Sequence, residues 1–415
     1  MSSRNWRVQA HYSVLYAAQF VLLGVQLPFL SGWLAREGFS APEIGWLSGL
    51  SLGARLLFGP AVAFWADRGD NHAKALRLVS ALFGAGALGL AMFGGKPLIA
   101  LSAVAVLWSF GLLVPLSDTA ILRADRAGTL HYGEVRAAGS AAFLLTNISA
   151  GFVIARTSID IAVIIMAIAG ATTFAIAMTL PLSPAPAKGA SGDNRWRDAA
   201  TLMTTPAFLL FLLTVGLIQG SHAAYYSFSI LHWTALDYAA TTVGFLWAVG
   251  VVAEIFVLTQ VRGLVRRLGP ETLIVIGGLG AAARWTLTGI EPPLLLLFAV
   301  QTLHAVSFAA AYLGAVEYVD RAIPKHLTNT AMTLMSTTGV GAITGLATVA
   351  CGYLYEAGGA PAIYALTAAM GGCGAVGGLL MLRRRDKIPA GPTLDVRRSE
   401  RSPAAEKPSR TKSSG

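Results

Sequence analysis

The sequence predicts an all-α membrane protein with twelve transmembrane helices in two six-helix bundles. Three observations carry that reading. Apolar stretches of about 20 residues, the length that crosses a bilayer core as a helix, recur between positions 12 and 382. Hydrophobic residues make up 55% of the 415-residue chain and charged residues 13%, the balance of a chain whose backbone polar groups are satisfied inside helices in lipid. Basic residues are dense in every second connection and sparse in the others, as positive-inside sorting requires.

Apolar runs read against charged connections place spans at 12–35, 44–65, 75–95, 98–122, 137–155 and 159–181. Six more follow at 206–231, 242–262, 271–289, 293–318, 328–355 and 361–382. The first is long and lacks a small-residue cleavage site, so it reads as a retained span. With Arg4 and Arg7 inside, the cytoplasmic connections hold Arg68, Lys74 and Arg77, then Arg123, Arg126 and Arg136, then Lys188, Arg195 and Arg197. Arg262, Arg266, Arg267, Arg321 and Lys325 continue the pattern, and the outside connections keep Arg36, Lys96 and Arg156. Both termini are therefore expected in the cytoplasm, with an even number of spans between them.

The run SPAPAKGASG opens a linker at 183–205, rich in small residues and Pro and read as flexible. It separates an N-terminal bundle at 1–182 from a C-terminal bundle at 206–385. Positions 386–415 are rich in Pro, Ser, Arg and Lys and read as a disordered cytoplasmic tail touching anionic lipid.

Composition also excludes. The net charge of +10 sits in short connections and the tail, not in a nucleic-acid groove. Cys351 and Cys373 lie inside apolar spans, which leaves no disulfide framework and no cysteine metal site. No GxxxxGK[ST], HExxH or GxSxG occurs and no metal ligands cluster, so no catalytic residue, metal or cofactor is expected and the energy source is an ion gradient.

Seven ionisable side chains fall inside the spans: Arg55, Asp118, His222, Glu254, Arg284, His304 and Glu317. A charge at mid-bilayer costs roughly 2.5–3.5 kcal/mol on insertion scales, so such groups are expected to face a shared interior. His222 carries Tyr225 and Tyr226 at i+3 and i+4, one helical face that can hydrogen-bond a polar group and stack on a ring. A core histidine bonded to a neighbouring carbonyl is the alternative. Glu254 lies seven residues after Trp247, and a carboxyl so placed can exchange a proton as its surroundings change. A structural ion pair with Arg284 is the alternative there.

Arg284 offers a planar, permanently charged fork to a carboxylate, and Arg55 is its counterpart in the second span. Asp118, beside Pro115, is expected as a counter-ion to Arg55, with a structural or gating role as the alternative to solute contact for both. His304 shares a face with Gln301 and Ser307 and can relay a proton near neutrality. Glu317 and Asp320 approach a cytoplasmic helix end, where solvated charges are expected.

Six spans, a cytoplasmic linker and six spans form the outline of the major facilitator superfamily. The connection WADRGD at 65–70 resembles its short cytoplasmic motif, in which Asp67, Arg68 and partners such as Arg136 latch helix ends. The related run RGLVRRLG at 262–269 lacks the acid. The blocks LIQGSHAAYYSFS at 217–229, VGFLWAVGVVAE at 243–254, Arg284-Trp285 and QTLH at 301–304 resemble the phenylpropionate permease family of bacterial proton symporters. In the first half, IGWLSGLSLGAR at 44–55, VPLSD at 114–118 and YGEVRAAGS at 132–140 follow the same pattern. The lactose-type symporters, more distantly similar, carry an acid where this chain has Ser307, which turns attention to Glu254 as the proton site, with His222 and His304 behind it.

The resemblance implies a monomeric carrier of the bacterial cytoplasmic membrane that moves a small organic solute with protons, an aromatic carboxylate such as 3-phenylpropionate. Arg284 or Arg55 would serve the anion and Tyr225, Tyr226 and Trp247 the ring, with Gln301 a further solute-binding candidate. Sugars, nucleosides and exported drugs remain open as solutes. A membrane sensor or enzyme is a further alternative.

Overall fold

A computed structural model describes residues 5–67, 71–180, 195–260 and 267–384. The described residues of the N-terminal half form α1 (Trp6–Arg36), α2 (Ala41–Asp67), α3 (His72–Met92), α4 (Lys96–Arg126), α5 (Tyr132–Ile154) and α6 (Asp160–Thr179). A short helix, α7 (Arg195–Met203), follows within the stretch expected to be a flexible linker. The C-terminal half holds α8 (Pro206–Gly220), α9 (Ala223–Ala235), α10 (Ala240–Gln260), α11 (Pro270–Gly289), α12 (Leu294–Thr302), α13 (Ala311–Ala322), α14 (Thr328–Leu334) and α15 (Ala342–Arg384). Two π-helical segments, Ala305–Ala310 and Met335–Gly341, interrupt it.

Ten helical runs are long and apolar enough to cross a membrane. The run Lys325–Arg384 is two helices joined at Gly359, whose φ of 64° breaks the rod before Pro361, a left-handed turn that glycine adopts without Cβ strain. Counted separately, and with the 20-residue α11 beside them, they give the twelve helical segments expected. The first span extends beyond its expected bounds: α1 starts at Trp6, not 12, and ends at Arg36.

The seventh span is not one helix. It breaks at Ser221 and His222 between α8 and α9, so His222 precedes the first turn of α9 instead of sitting mid-rod. Asp67 closes α2, and its side chain and Arg68 lie outside the described residues. The same holds for Lys188, Arg262 and Arg266, the side chains of Arg195 and Arg197, and the tail at 386–415.

Helix directions follow from pairs of contacts. Gln9 Nε2 donates to the carbonyl of His131, so α1 and α5 start at one end, called here the Trp6 end. Arg36 pairs with Asp160 at the opposite, Arg36 end. At that end the halves meet closely. A Cβ added at Gly49 of α2 would stand 2.6 Å from Cγ2 of Val349 and 3.0 Å from the carbonyl oxygen of Gly345 in α15. Gly151 of α5 and Gly244 of α10 lie against the carbonyls of Ala240 and Asn147. Small residues let helix backbones approach where lipid supplies no hydrophobic drive, so packing must supply the attraction. Trp46 Nε1 donates to Tyr353 Oη at 3.0 Å, and Thr241 Oγ1 to the carbonyl of Gly151 at 3.3 Å.

Candidate functional site

The break before α9 and the π segment Ala305–Ala310 aim polar groups at one buried point of the C-terminal half. A π segment inserts an extra residue into the turn and re-aims the side chains beside it, a device frequent at functional sites. Here it sits directly after His304 and carries Ser307. α11 delivers Arg284 to the same point, fully buried.

Arg284 is held on three sides. Its Nη1 donates to His304 Nδ1 at 2.8 Å and reaches Ser307 Oγ at 3.5 Å, and its Nη2 donates to Gln301 Oε1 at 2.7 Å. The guanidinium lies 4.6 Å from the ring of Tyr225 and 4.3 Å from that of Trp285, cation–π contacts that replace part of its lost hydration. Arg284 Nε and Gln301 Nε2 are buried donors without a partner among the described residues.

His304 carries the contact onward. Its Nε2 stands 3.3 Å from Glu254 Oε2 of α10. A guanidinium can only donate, so Nδ1 of His304 must present its lone pair, and in the neutral ring the proton is then on Nε2, directed at the carboxylate. Glu254 therefore meets Arg284 through His304 and not directly, which corrects the expected pair. Its side chain keeps 21% of its exposure and is the part of this chain of groups that water or a solute reaches.

His222 completes the cluster. Its Nδ1 lies 3.1 Å from the carbonyl of Gln219 and its Nε2 3.3 Å from Ser307 Oγ. The carbonyl requires an N–H at Nδ1, so Nε2 accepts from the Ser307 hydroxyl, which in turn accepts from Arg284. Both the functional and the structural reading of His222 thus describe part of its geometry. Tyr226 stacks on His222 at 5.6 Å, while Tyr225 stacks on Trp247 at 4.1 Å. Trp247 is fixed by a hydrogen bond to Ser229 of 3.3 Å, and Trp285 by one to Ser221 of 2.8 Å.

The structure thus brings Glu254, His304, Arg284, Gln301, His222, Tyr225, Tyr226 and Trp247 together. Arg55 stands apart on α2, and Asp118 is not its counter-ion. Asp118 Oδ1 accepts from Tyr16 Oη at 2.8 Å and from Tyr132 Oη at 3.5 Å, and Arg136 donates to Tyr16 Oη. A phenol on α1 thereby links an acid on α4 to a base on α5. Tyr16 and Tyr132 were absent from the expected site; a phenol facing inward within the first span was the available signal. Glu317 pairs with Arg321 one turn on, at 2.6 Å.

Among the described residues no group of His, Cys, Asp and Glu could hold a metal ion.

Comparison with known proteins adds a family. The MFS_1 like family model matches residues 6–366. The chain is 31% identical to a probable 3-phenylpropionic acid transporter of Escherichia coli K12, over 82% of this chain and 89% of that one. It is 28% identical to a maltose permease of Geobacillus stearothermophilus, over 83% and 87% of the two chains. Its fold superposes on the crystal structure of the nucleoside transporter NupG with a TM-score of 0.74 at 18% identity, covering 91% of this chain and 98% of that one.

Proposed function

We propose, on the premise that the chain belongs to the MFS_1 like family of major facilitator superfamily transporters and is not an enzyme, that it carries an aromatic carboxylate such as 3-phenylpropionate in symport with protons by alternating access. The buried chain Arg284, His304, Glu254 carries the proton half of this reading. With Arg284 donating to Nδ1, His304 cannot become an imidazolium without losing that contact. The arriving proton is taken by Glu254, the exposed end, and His304 transmits the change to Arg284. Neutralising the carboxylate removes one of the two charges that hold His304 between them, and so weakens the arrangement that pins α10 to the π segment.

The depth of Glu254 suits a coupling role. α5 and α10 run antiparallel, with Gly151 against Ala240 and Asn147 against Gly244. Continued at 1.5 Å per residue, that register brings Arg136 of the other half to the level of Glu254. Closing the Trp6 end would exchange a partner within one half for one across the interface, while the Arg36 end opens. A proton and a solute arriving together bias that exchange.

For the solute, the partly exposed Tyr226 offers a ring face, with Trp247 stacked behind it, and Arg284 and Arg55 are the two candidate anion ligands. The resemblance to a probable 3-phenylpropionic acid transporter favours an aromatic acid over the sugar of the maltose permease, since a guanidinium has no anionic partner to find on a sugar. The reading places the chain in a bacterial cytoplasmic membrane with both termini inside, as a monomer.

The test is uptake of radiolabelled 3-phenylpropionate into proteoliposomes with and without an inward proton gradient. Gradient-driven accumulation is expected. Equilibration without accumulation would remove proton coupling, and no transport of the acid would remove the substrate.

A further inference from the structure

Of the two candidate anion ligands, we infer that Arg55 of α2, not Arg284, takes the carboxylate of the transported acid, so that the solute is gripped between the two halves. The inference rests on the reading of the protein as a carrier of organic acids and decides what that reading leaves open.

Arg284 is fully enclosed, both of its Nη groups donate to side chains of its own half, and both faces of its guanidinium are covered by Tyr225 and Trp285. An incoming carboxylate would have to displace His304 or Gln301 to reach the fork. Arg55 is the opposite case. It lies only partly buried, and among the described residues it makes no hydrogen bond and no ion pair. A guanidinium left without a partner inside a membrane-spanning bundle is costly, and an anion that pairs with it recovers that cost.

Its place in the fold is that of an interface ligand. Arg55 is fourteen residues along α2 from Ala41, and Glu254 fourteen along α10 from Ala240. At 1.5 Å per residue both stand about 21 Å from the sealed Arg36 end, one in each half. α2 and α15 touch at Gly49 and Gly345, and Arg55 follows where that contact runs into the π segment Met335–Gly341: a Cβ on Gly341 would stand 4.0 Å from Arg55 Nη2. Arg284 and Arg55 thus each face one of the two π segments. Gly111 of α4 makes room for the side chain, since a Cβ there would collide with Arg55. On the same two helices, Phe58, Trp65 and Trp108 wall an open apolar groove of about 550 Å³ whose lining starts at Ala54, the neighbour of Arg55 in sequence, and does not include Arg55 itself.

An anionic oxygen pair is the chemistry Arg55 recognises, and it comes from a soluble acid or from a lipid phosphate. The experiment measures binding of 3-phenylpropionate and of its neutral amide to the full chain in phosphatidylcholine nanodiscs, by tryptophan fluorescence. Wild type is expected to prefer the acid. Arg55→Gln should lose about 30-fold in affinity for the acid, as expected for a charge-assisted hydrogen-bond pair, with amide binding unchanged, and Arg55→Lys should fall between. Should Arg55→Gln fail to fold, Gly111→Val displaces the guanidinium without removing it and should show the same selective loss. Acid binding by Arg55→Gln within twofold of wild type, equal binding of acid and amide by wild type, or no acid binding by wild type would each overturn the assignment. So would stabilisation by added phosphatidylglycerol that depends on Arg55 while the acid has no effect. Arg55-dependent binding without gradient-driven accumulation would leave this site standing and remove symport. Accumulation that survives Arg55→Gln would do the reverse.

Discussion

Each half of the molecule keeps an acid and a base apart with a third side chain, but the intermediary differs. In the N-terminal half the phenol of Tyr16 stands between Arg136 and Asp118. In the C-terminal half the imidazole of His304 stands between Arg284 and Glu254. A phenol near neutral pH holds its proton and serves as a fixed link, whereas an imidazole can change tautomer and reorient with the state of its neighbours. The two clusters are similar in layout and unlike in chemistry. The C-terminal one contains a group whose protonation its neighbours can set, while the N-terminal one ties α1, α4 and α5 together.

Replacing Glu254 with Gln breaks the comparison at its most consequential point. Gln keeps the size and can accept from His304 but cannot titrate. Proton-driven accumulation should be abolished and the pH dependence of uptake flattened, while exchange of labelled for unlabelled solute continues. Proteoliposome uptake and counterflow across pH 5–8 read both. Intact accumulation would move the proton site elsewhere.

His304→Leu asks whether the polar intermediary is needed. A buried guanidinium loses an acceptor, and hydrogen bonds to charged groups are worth about 1.5–3 kcal/mol, so both thermal stability and transport rate should fall. Tyr16→Phe is the matching change in the other half. It removes a hydroxyl bonded to two charged groups, Asp118 and Arg136, each such bond worth about 1.5–3 kcal/mol, and should slow exchange and uptake alike, by about tenfold or more, with accumulation at equilibrium unchanged. A loss of accumulation in Tyr16→Phe would mean that the N-terminal cluster also carries the proton.

Much of this contrast was legible before any coordinates. Long apolar runs and charge asymmetry gave the helices, and the buried ionisable groups gave Glu254, His304 and Arg284, because a charge in a bilayer signals function by its cost alone. What the sequence could not show was who touches whom. Glu254 and Arg284 have opposite charges on neighbouring spans, which suggests a direct pair, yet the insertion of His304 depends on the π segment Ala305–Ala310, an irregularity with no signature in apolar periodicity. The same applies to Asp118, whose partner Tyr16 lies 102 residues away. Gly359 falls inside the connection expected between 355 and 361.

The smallest effect tests the seal and not the clusters. Trp46 Nε1 donates to Tyr353 Oη at 3.0 Å across the halves at the Arg36 end, in an exposed position. Trp46→Phe keeps most of the ring and removes the donor, so about 1 kcal/mol of closing free energy is lost there, enough to shift the balance between sealed and open forms about fivefold. Spin labels on Ser40→Cys and Glu356→Cys, in a background where Cys351 and Cys373 are Ser, should report a larger separated population in Trp46→Phe than with Trp46 present. Because this change leaves Glu254, His304 and Arg284 untouched, the accumulation ratio should stay at its original value while the solute affinity measured from the Arg36 side changes with the population. An altered accumulation ratio would show that seal and proton site are not separable, and that the C-terminal cluster senses the Arg36 end directly instead of through the movement of α10.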